Sequence, residues 1–219
     1  MLKIYGHPLA SFYWKVAIAA YERSVPFEFE MVDTHNTANM AAVAIYSPTG
    51  QFPVLVDSGK VVIESAAIIE YLDLHCGAAP PLVPADRREA IEVRQMDSVF
   101  DDYVMAPLTR MVLNAIRNGA SRDPLANNES QSTLDKSYRW LNNWMAKREW
   151  AANDSFSLAD VAAGPALFYA HWGYAIPQDC VALRSYRSRL LARPSIAHVI
   201  SEARPWFEYF PLKDRGSPD

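Results

Sequence analysis

Gln51-Phe52-Pro53-Val54-Leu55-Val56-Asp57-Ser58-Gly59-Lys60-Val61-Val62-Ile63-Glu64-Ser65 is the stretch that decides how this chain folds. A proline between two apolar residues at the head of a strand pattern marks Phe52-Pro53 as a position for a cis peptide bond. Such a bond would turn the strand's entry outward and free the backbone N–H and C=O of Val54. Those groups would then pair with an extended peptide, as an added strand does. Asp57-Ser58-Gly59-Lys60, set between two apolar runs, is a hairpin signal. Glu64-Ser65 falls where a strand ends and a helix begins. There, free N–H groups and the positive end of the helix dipole favour a carboxylate, while Glu64 suits an ammonium. Together the two places fit a small peptide that carries both a free amine and a free carboxylate.

Upstream, Leu2-Lys3-Ile4-Tyr5 reads as a strand, with Gly6-His7-Pro8 as the turn out of it. Trp14 to Tyr21 is helical and stops at Ser24-Val25-Pro26, because proline disfavours helix in the residue before it. Phe27 to Val32 alternates Phe27, Phe29 and Met31 with Glu28 and Glu30, the pattern of a half-buried strand. Residues 36–46 form a short or irregular helix, and Ser65 to His75 a regular one. The resulting β-α-β-α-β-β-α order is thioredoxin-like. Gly77-Ala78-Ala79-Pro80-Pro81-Leu82-Val83-Pro84 interrupts any helix. It separates a first domain, 1–78, from a second, 86–219, with 79–85 as linker. The second domain is helical in pattern throughout, so the fold class is α/β plus all-α. Arg87 to Arg117 predicts one long amphipathic helix, kinked or broken at Pro107, and Asn118 to Asn128 a polar loop. Further helices are expected over Ser130–Arg148, Ser157–Trp172, Val181–Ala192 and Ser195–Glu202. Ser157 and Asp160 have the spacing of a capping box, a structural role whose loss costs about 1 kcal/mol.

A chain of 219 residues, 50% hydrophobic, suits one large domain or two small ones. Its net charge of −4 argues against nucleic acid or an anionic membrane as the main partner. No apolar run approaches the roughly 18 residues of a membrane span. The N-terminus enters a strand without the regions of a signal peptide. The two cysteines, Cys76 and Cys180, form neither a CxxC nor a metal pattern, which suits a reducing cytoplasm. His7, His35, His75, His171 and His198 are scattered, and His75 and Cys76 point apart on a helix, so no metal is expected.

Three segments carry a resemblance to the glutathione transferase superfamily that spans most of the chain. Ser47-Pro48-Thr49-Gly50-Gln51-Phe52-Pro53-Val54-Leu55 resembles the family's N-P-x-G-x-V-P-x-L segment. Val62-Ile63-Glu64-Ser65-Ala66-Ala67-Ile68-Ile69-Glu70-Tyr71-Leu72 is similar to its E-S-x-A-I-x-x-Y-L run. Ser157-Leu158-Ala159-Asp160 is similar to the S-x-A-D helix start of its second domain. The three occur in the right order at the right distances. The resemblance implies a homodimeric, cytoplasmic transferase of bacterial style that takes glutathione as co-substrate and a small hydrophobic electrophile as acceptor. It further implies that the Val54 backbone pairs with the cysteinyl residue of glutathione, beside Phe52 and Pro53. Glu64 and Ser65 would hold the γ-glutamyl amine and carboxylate, and Gln51 would reach toward the glycyl carboxylate.

Such an enzyme must favour the thiolate of its co-substrate. A free thiol has a pKa of roughly 8.5, and lowering it to about 6.5 requires about 2.7 kcal/mol. One or two hydrogen bonds plus a helix N-terminus supply that. The donor therefore belongs where the first strand meets the first helix, and the candidates are Ser11, Tyr13 and Tyr5. Ser11 comes first: it lies four residues before Lys15, resembling the serine of theta-like members that stands four before an arginine. The alternative is that Ser11 merely caps the helix, that Tyr13 takes the role, and that Tyr5 is a core aromatic. Phe12, Tyr103, Met111 and the tail around Trp206-Phe207 are candidates for the electrophile pocket, although aromatic and methionine side chains at helical spacing are more often core. Asp101-Asp102 belongs to a solvated face or an interdomain hydrogen bond.

No cysteine occupies the helix entry, unlike the omega, beta and glutaredoxin-like patterns. The zeta-type serine-cysteine cluster is also missing, which counts against maleylacetoacetate isomerase activity. Two rival functions remain: glutathione-dependent reduction of disulfides or peroxides, and a non-catalytic relative that binds a protein partner.

Overall fold

Strands β1 (Leu2–Gly6), β2 (Phe27–Met31), β3 (Val54–Asp57) and β4 (Lys60–Ile63) form one mixed sheet in the order β2-β1-β3-β4. The β1–β2 pair is parallel, and β3 is antiparallel to both β1 and β4. The structure, a computed structural model, describes residues 1–75 and 80–218. The domain boundary expected at 78–79, Cys76 and the His75 side chain lie outside what it describes. Ser58 and Gly59 take φ of 49° and 90°, as the expected tight hairpin requires of its two central residues.

Strand side chains alternate between faces, and here the two faces have different partners. Ile4 and Leu55 turn toward α1 (Ser11–Glu22) and α3 (Ser65–His75), inside a large core. Tyr5 and Val54 turn to the other face, against Val43 and Tyr46 of α2 (Thr37–Tyr46). Tyr5, one of the candidate donors, is thus a core strand aromatic set edge-on to Tyr46.

Residues 13–20 of α1 are buried on every side, which makes it a helix enclosed by protein rather than one with a wet face. Its outer side packs on α7 (Leu158–Gly173), with the Trp14 ring 4.9 Å from Phe168 and 5.0 Å from Tyr169. One hydrophobic core therefore runs from the sheet into the helical domain. The linker is held between the two: Arg23 donates to the Pro80 carbonyl, and the Leu82 carbonyl accepts from the Leu158 N–H.

The helical domain departs from expectation in one place and gives a specific form to it in another. Asn118–Asn128 is not one polar loop. Asp123 accepts from the N–H groups of Leu125 and Ala126, and α6 starts at Pro124 and runs to Met145. Proline at the first helical position behind an aspartate cap is a favoured start. At Pro107 the expected kink or break takes the form of a π-helical turn just ahead of the proline. α4 (Arg87–Phe100) passes through a π-helical turn, Asp101–Met105, into α5 (Ala106–Ile116). Pro107 has no N–H for the Tyr103 carbonyl, and the Ser137 hydroxyl donates to that carbonyl instead, at 2.8 Å. The remaining helices, α8 (Val181–Leu191) and α9 (Pro194–Ala203), fall close to where the pattern puts them.

Ser157 and Asp160 form the expected capping box, yet Asp160 does more than cap. Its carboxylate, fully buried, accepts from the Ser157 N–H, from the Ala151 N–H at 2.8 Å and from the Tyr186 hydroxyl at 2.6 Å. Asp160→Ala leaves several buried donors unpaired, so it is expected to lower stability by more than about 3 kcal/mol. Ser157→Ala should cost only about 1 kcal/mol. Urea unfolding of the two variants against wild type measures both.

Candidate active site

The β1–α1 connection is braced at nearly every residue. The Leu9 N–H donates to His7 Nδ1 and the Ala10 N–H to the His7 carbonyl. Trp14 Nε1 donates to the Pro8 carbonyl at 2.6 Å, and the Tyr169 hydroxyl to the Leu9 carbonyl at 2.9 Å. Ala10, not Ser11, is the N-cap of α1. Ser11 is the first helical residue, half-buried, and its hydroxyl has no hydrogen-bond partner among the described residues.

Two adjoining cavities open at this turn. The smaller, about 190 Å³, is lined by Ser47, Gln51, Phe52, Pro53, Glu64 and Ser65, with Phe12 and Ile63. The larger, about 410 Å³, lies between the first domain and the helices. Ser11, Met105, Leu108, Val112, Tyr169 and Phe210 are among its walls. Phe12, Gln51 and Phe52 belong to both. One cavity is therefore polar and carries a carboxylate, the other is predominantly apolar, and the Ser11 hydroxyl sits near their junction.

The Phe52–Pro53 bond is cis. Val54, whose backbone groups were expected to be free, is the first residue of β3, one of the two inner strands, in register with Tyr5 on one side and Ile63 on the other. The residues ahead of the ladder are 51–53, so an added peptide has to approach over that end of β3. Glu64 has φ 68°, a left-handed conformation that costs a non-glycine residue about 1–2 kcal/mol. Such strain persists where the surroundings impose it and gathers at functional sites. It directs an exposed carboxylate to the rim of the smaller cavity, while Ser65, buried, begins α3.

Not every expected residue gathers here. Tyr13 is buried, its ring 4.9 Å from Phe29; burial pushes its hydroxyl well above the ordinary tyrosine range, and it lines neither cavity. Met111 is a core residue. Tyr103 is exposed on a separate groove with Val99 and Trp140. Trp206 stacks edge-on with His7, at 4.9 Å, and the tail reaches the larger cavity through Phe210 and Pro211 instead. Leu108, Thr109, Val112 and Tyr169 are walls that apolar periodicity alone does not separate from ordinary core. Ser47, at the head of the Ser47–Leu55 segment, is a wall of the smaller cavity that sequence reasoning missed, and its hydroxyl accepts from the Gln51 N–H at 3.2 Å.

Lys15, one turn beyond Ser11, is 1% exposed and donates to Asp97 Oδ1 at 2.7 Å and Asp101 Oδ2 at 2.6 Å. Asp101 thus takes the interdomain option. Burial, against the pull of Lys15, pushes its carboxyl up to about 6. The ammonium ties α1 to the π-helical turn that carries Met105, and so sets the spacing between Ser11 and the facing wall.

Among the described residues there is no group of three or more histidine, cysteine or acidic side chains placed to hold a metal. No helix there is long and apolar enough to cross a membrane. The N-terminal domain of glutathione S-transferases matches residues 10–75, and their C-terminal domain matches residues 102–194. Glutathione S-transferase 3 of Zea mays is 29% identical over 212 residues, covering 91% of this chain and 93% of its own length. The uncharacterized GST-like protein YibF of Escherichia coli is 27% identical over 181 residues, covering 82% of this chain and 87% of its own. A solved glutathione S-transferase from Methylobacillus flagellatus, with glutathione bound, superposes with a TM-score of 0.82 at 26% identity. The superposition covers 91% of this chain and 98% of that one.

Removing the Lys15 ammonium strands two largely buried carboxylates. Lys15→Met is expected to destabilise the protein by about 3–5 kcal/mol. Adding Asp97→Asn and Asp101→Asn to it should recover most of that loss, as read from urea midpoints.

Proposed function

The chain belongs to the glutathione S-transferase family, and on that premise we propose that it joins glutathione to small hydrophobic electrophiles. Glutathione lies across the smaller cavity. The cysteinyl backbone pairs at the Phe52-Pro53-Val54 end of β3, and Glu64 and Ser65 take the γ-glutamyl amine and carboxylate. Gln51 takes the glycyl carboxylate. The thiol then points to the junction of the cavities, where the Ser11 hydroxyl and the open first turn of α1 donate to the sulfur anion. The apolar cavity holds the electrophile beside it. A sulfur–carbon bond forms, and the displaced electron pair leaves with a departing anion or is protonated by solvent. The protein supplies positioning and stabilisation of charge.

The observation that carries this reading is the unpartnered Ser11 hydroxyl at the junction of a polar, carboxylate-bearing cavity and an apolar one. Tyr13 and Tyr5 face other surroundings, which supports Ser11 as the side-chain donor. A homodimer and a cytoplasmic setting rest on the family alone.

Calorimetric titration with glutathione, run beside the ultraviolet absorbance of the bound thiolate against pH, tests the proposal. Wild type should bind glutathione with its thiol pKa lowered to roughly 6.5, while Ser11→Ala binds with the pKa raised by one to two units, about 1.4–2.7 kcal/mol. Retained ionisation in Ser11→Ala would move the role to backbone N–H groups. Thiol oxidation without a conjugate would favour the reductase, and no glutathione binding would end the enzymatic reading.

A further inference from the structure

The apolar cavity has one wall that belongs neither to the sheet domain nor to the helices. Phe210 and Pro211 close it from the C-terminal tail. Phe210 is 5% exposed, its ring 4.5 Å from Trp172 and 5.5 Å from Tyr169. Beyond these two residues the chain does not leave the surface; it is fastened along the C-terminal half of α7. Leu212 is buried. The Trp172 indole donates to the Lys213 carbonyl at 3.1 Å. Gly216 passes so close that a Cβ there would lie 2.9 Å from the Trp172 carbonyl oxygen, a backbone atom, so that the tail or the helix end would have to shift. Arg187 of α8, 8% exposed, donates through Nη2 to the Pro218 carbonyl at 2.8 Å and through Nε to the Leu167 carbonyl at 3.3 Å.

We infer that residues 210–218 are a strap whose far attachments, at Gly216 and Arg187, position Phe210 and so determine the depth of the electrophile cavity. This rests on the proposed function, because it assigns a selectivity role within the same site. The three fastenings all lie outside both cavities, and none touches the residues assigned to glutathione. Disturbing them should act on the hydrophobic partner and spare the peptide. Arg187 and Gly216 are positioning residues: they act through Phe210, which touches the ligand.

Calorimetry of the full chain with glutathione and with S-hexylglutathione reads the two cavities separately, without needing turnover. Wild type should bind S-hexylglutathione more tightly, since the hexyl chain buries apolar surface in the larger cavity. In Gly216→Ala, which adds only the Cβ, and in Arg187→Met, glutathione affinity should stay within about twofold of wild type. The preference for the hexyl ligand should fall by about fivefold or more. Unchanged glutathione affinity also reports that each variant is folded. A hexyl preference kept within twofold in both variants overturns the strap as a selectivity element. Parallel loss of both ligands overturns it too, since the attachments would then serve the whole fold. A wild type that binds neither ligand overturns the functional reading, and this inference with it.

Discussion

One buried ammonium sets the terms for the rest of the molecule. Lys15 sits in the middle of a helix enclosed by protein and finds its counter-charges on the other domain, at Asp97 and Asp101. A charge removed from water is tolerable only where its partners are in place with good geometry. The rotation and height of α1 against α4 therefore have little latitude. Ser11 stands one turn before Lys15 on the same helix, and Met105 lies one turn after Asp101. The ion cluster thus ties together the two elements whose residues Ser11 and Met105 line the larger cavity.

The π-helical turn is the complement of that constraint. It adds a residue to one turn where Pro107 withholds an N–H, and the Ala106 N–H reaches back to the Asp101 carbonyl. The extra residue rotates everything after it by about a quarter turn relative to an uninterrupted α-helix. Leu108 and Val112, which follow the turn, line the cavity, while Tyr103, inside it, is exposed.

The same rotation explains which parts of the site were legible from the residues. The hairpin, the cis bond at Phe52-Pro53 and the strand-to-helix corner at Glu64-Ser65 are local events, each carried by residues adjacent in the chain. The cavity walls are not local. A helical stripe of apolar residues reads the same whether it meets another helix or an empty space, and a periodicity of 3.6 cannot anticipate a π turn. Tyr103 and Met111 share that periodicity and face elsewhere. The start of α6 is a different case, since Asp123-Pro124 is a readable helix start that the polar residues around it obscured. Phe210 depends on the path of a tail whose course is set by contacts with α7 and α8.

The enclosed helix α1 also bears on how such a chain can change over time. Its inner face belongs to the sheet and its outer face to α7, in one continuous core. The two domains look like modules when drawn along the sequence, yet neither owns a finished surface where they meet. An exchange of one half for that of a distant relative would bring two unmatched sides together. It would also leave Lys15, or the carboxylates that answer it, without a counterpart. An exchange at the linker therefore asks for halves whose α1 and α7 faces already match, whereas the cavity walls can vary without disturbing that seam.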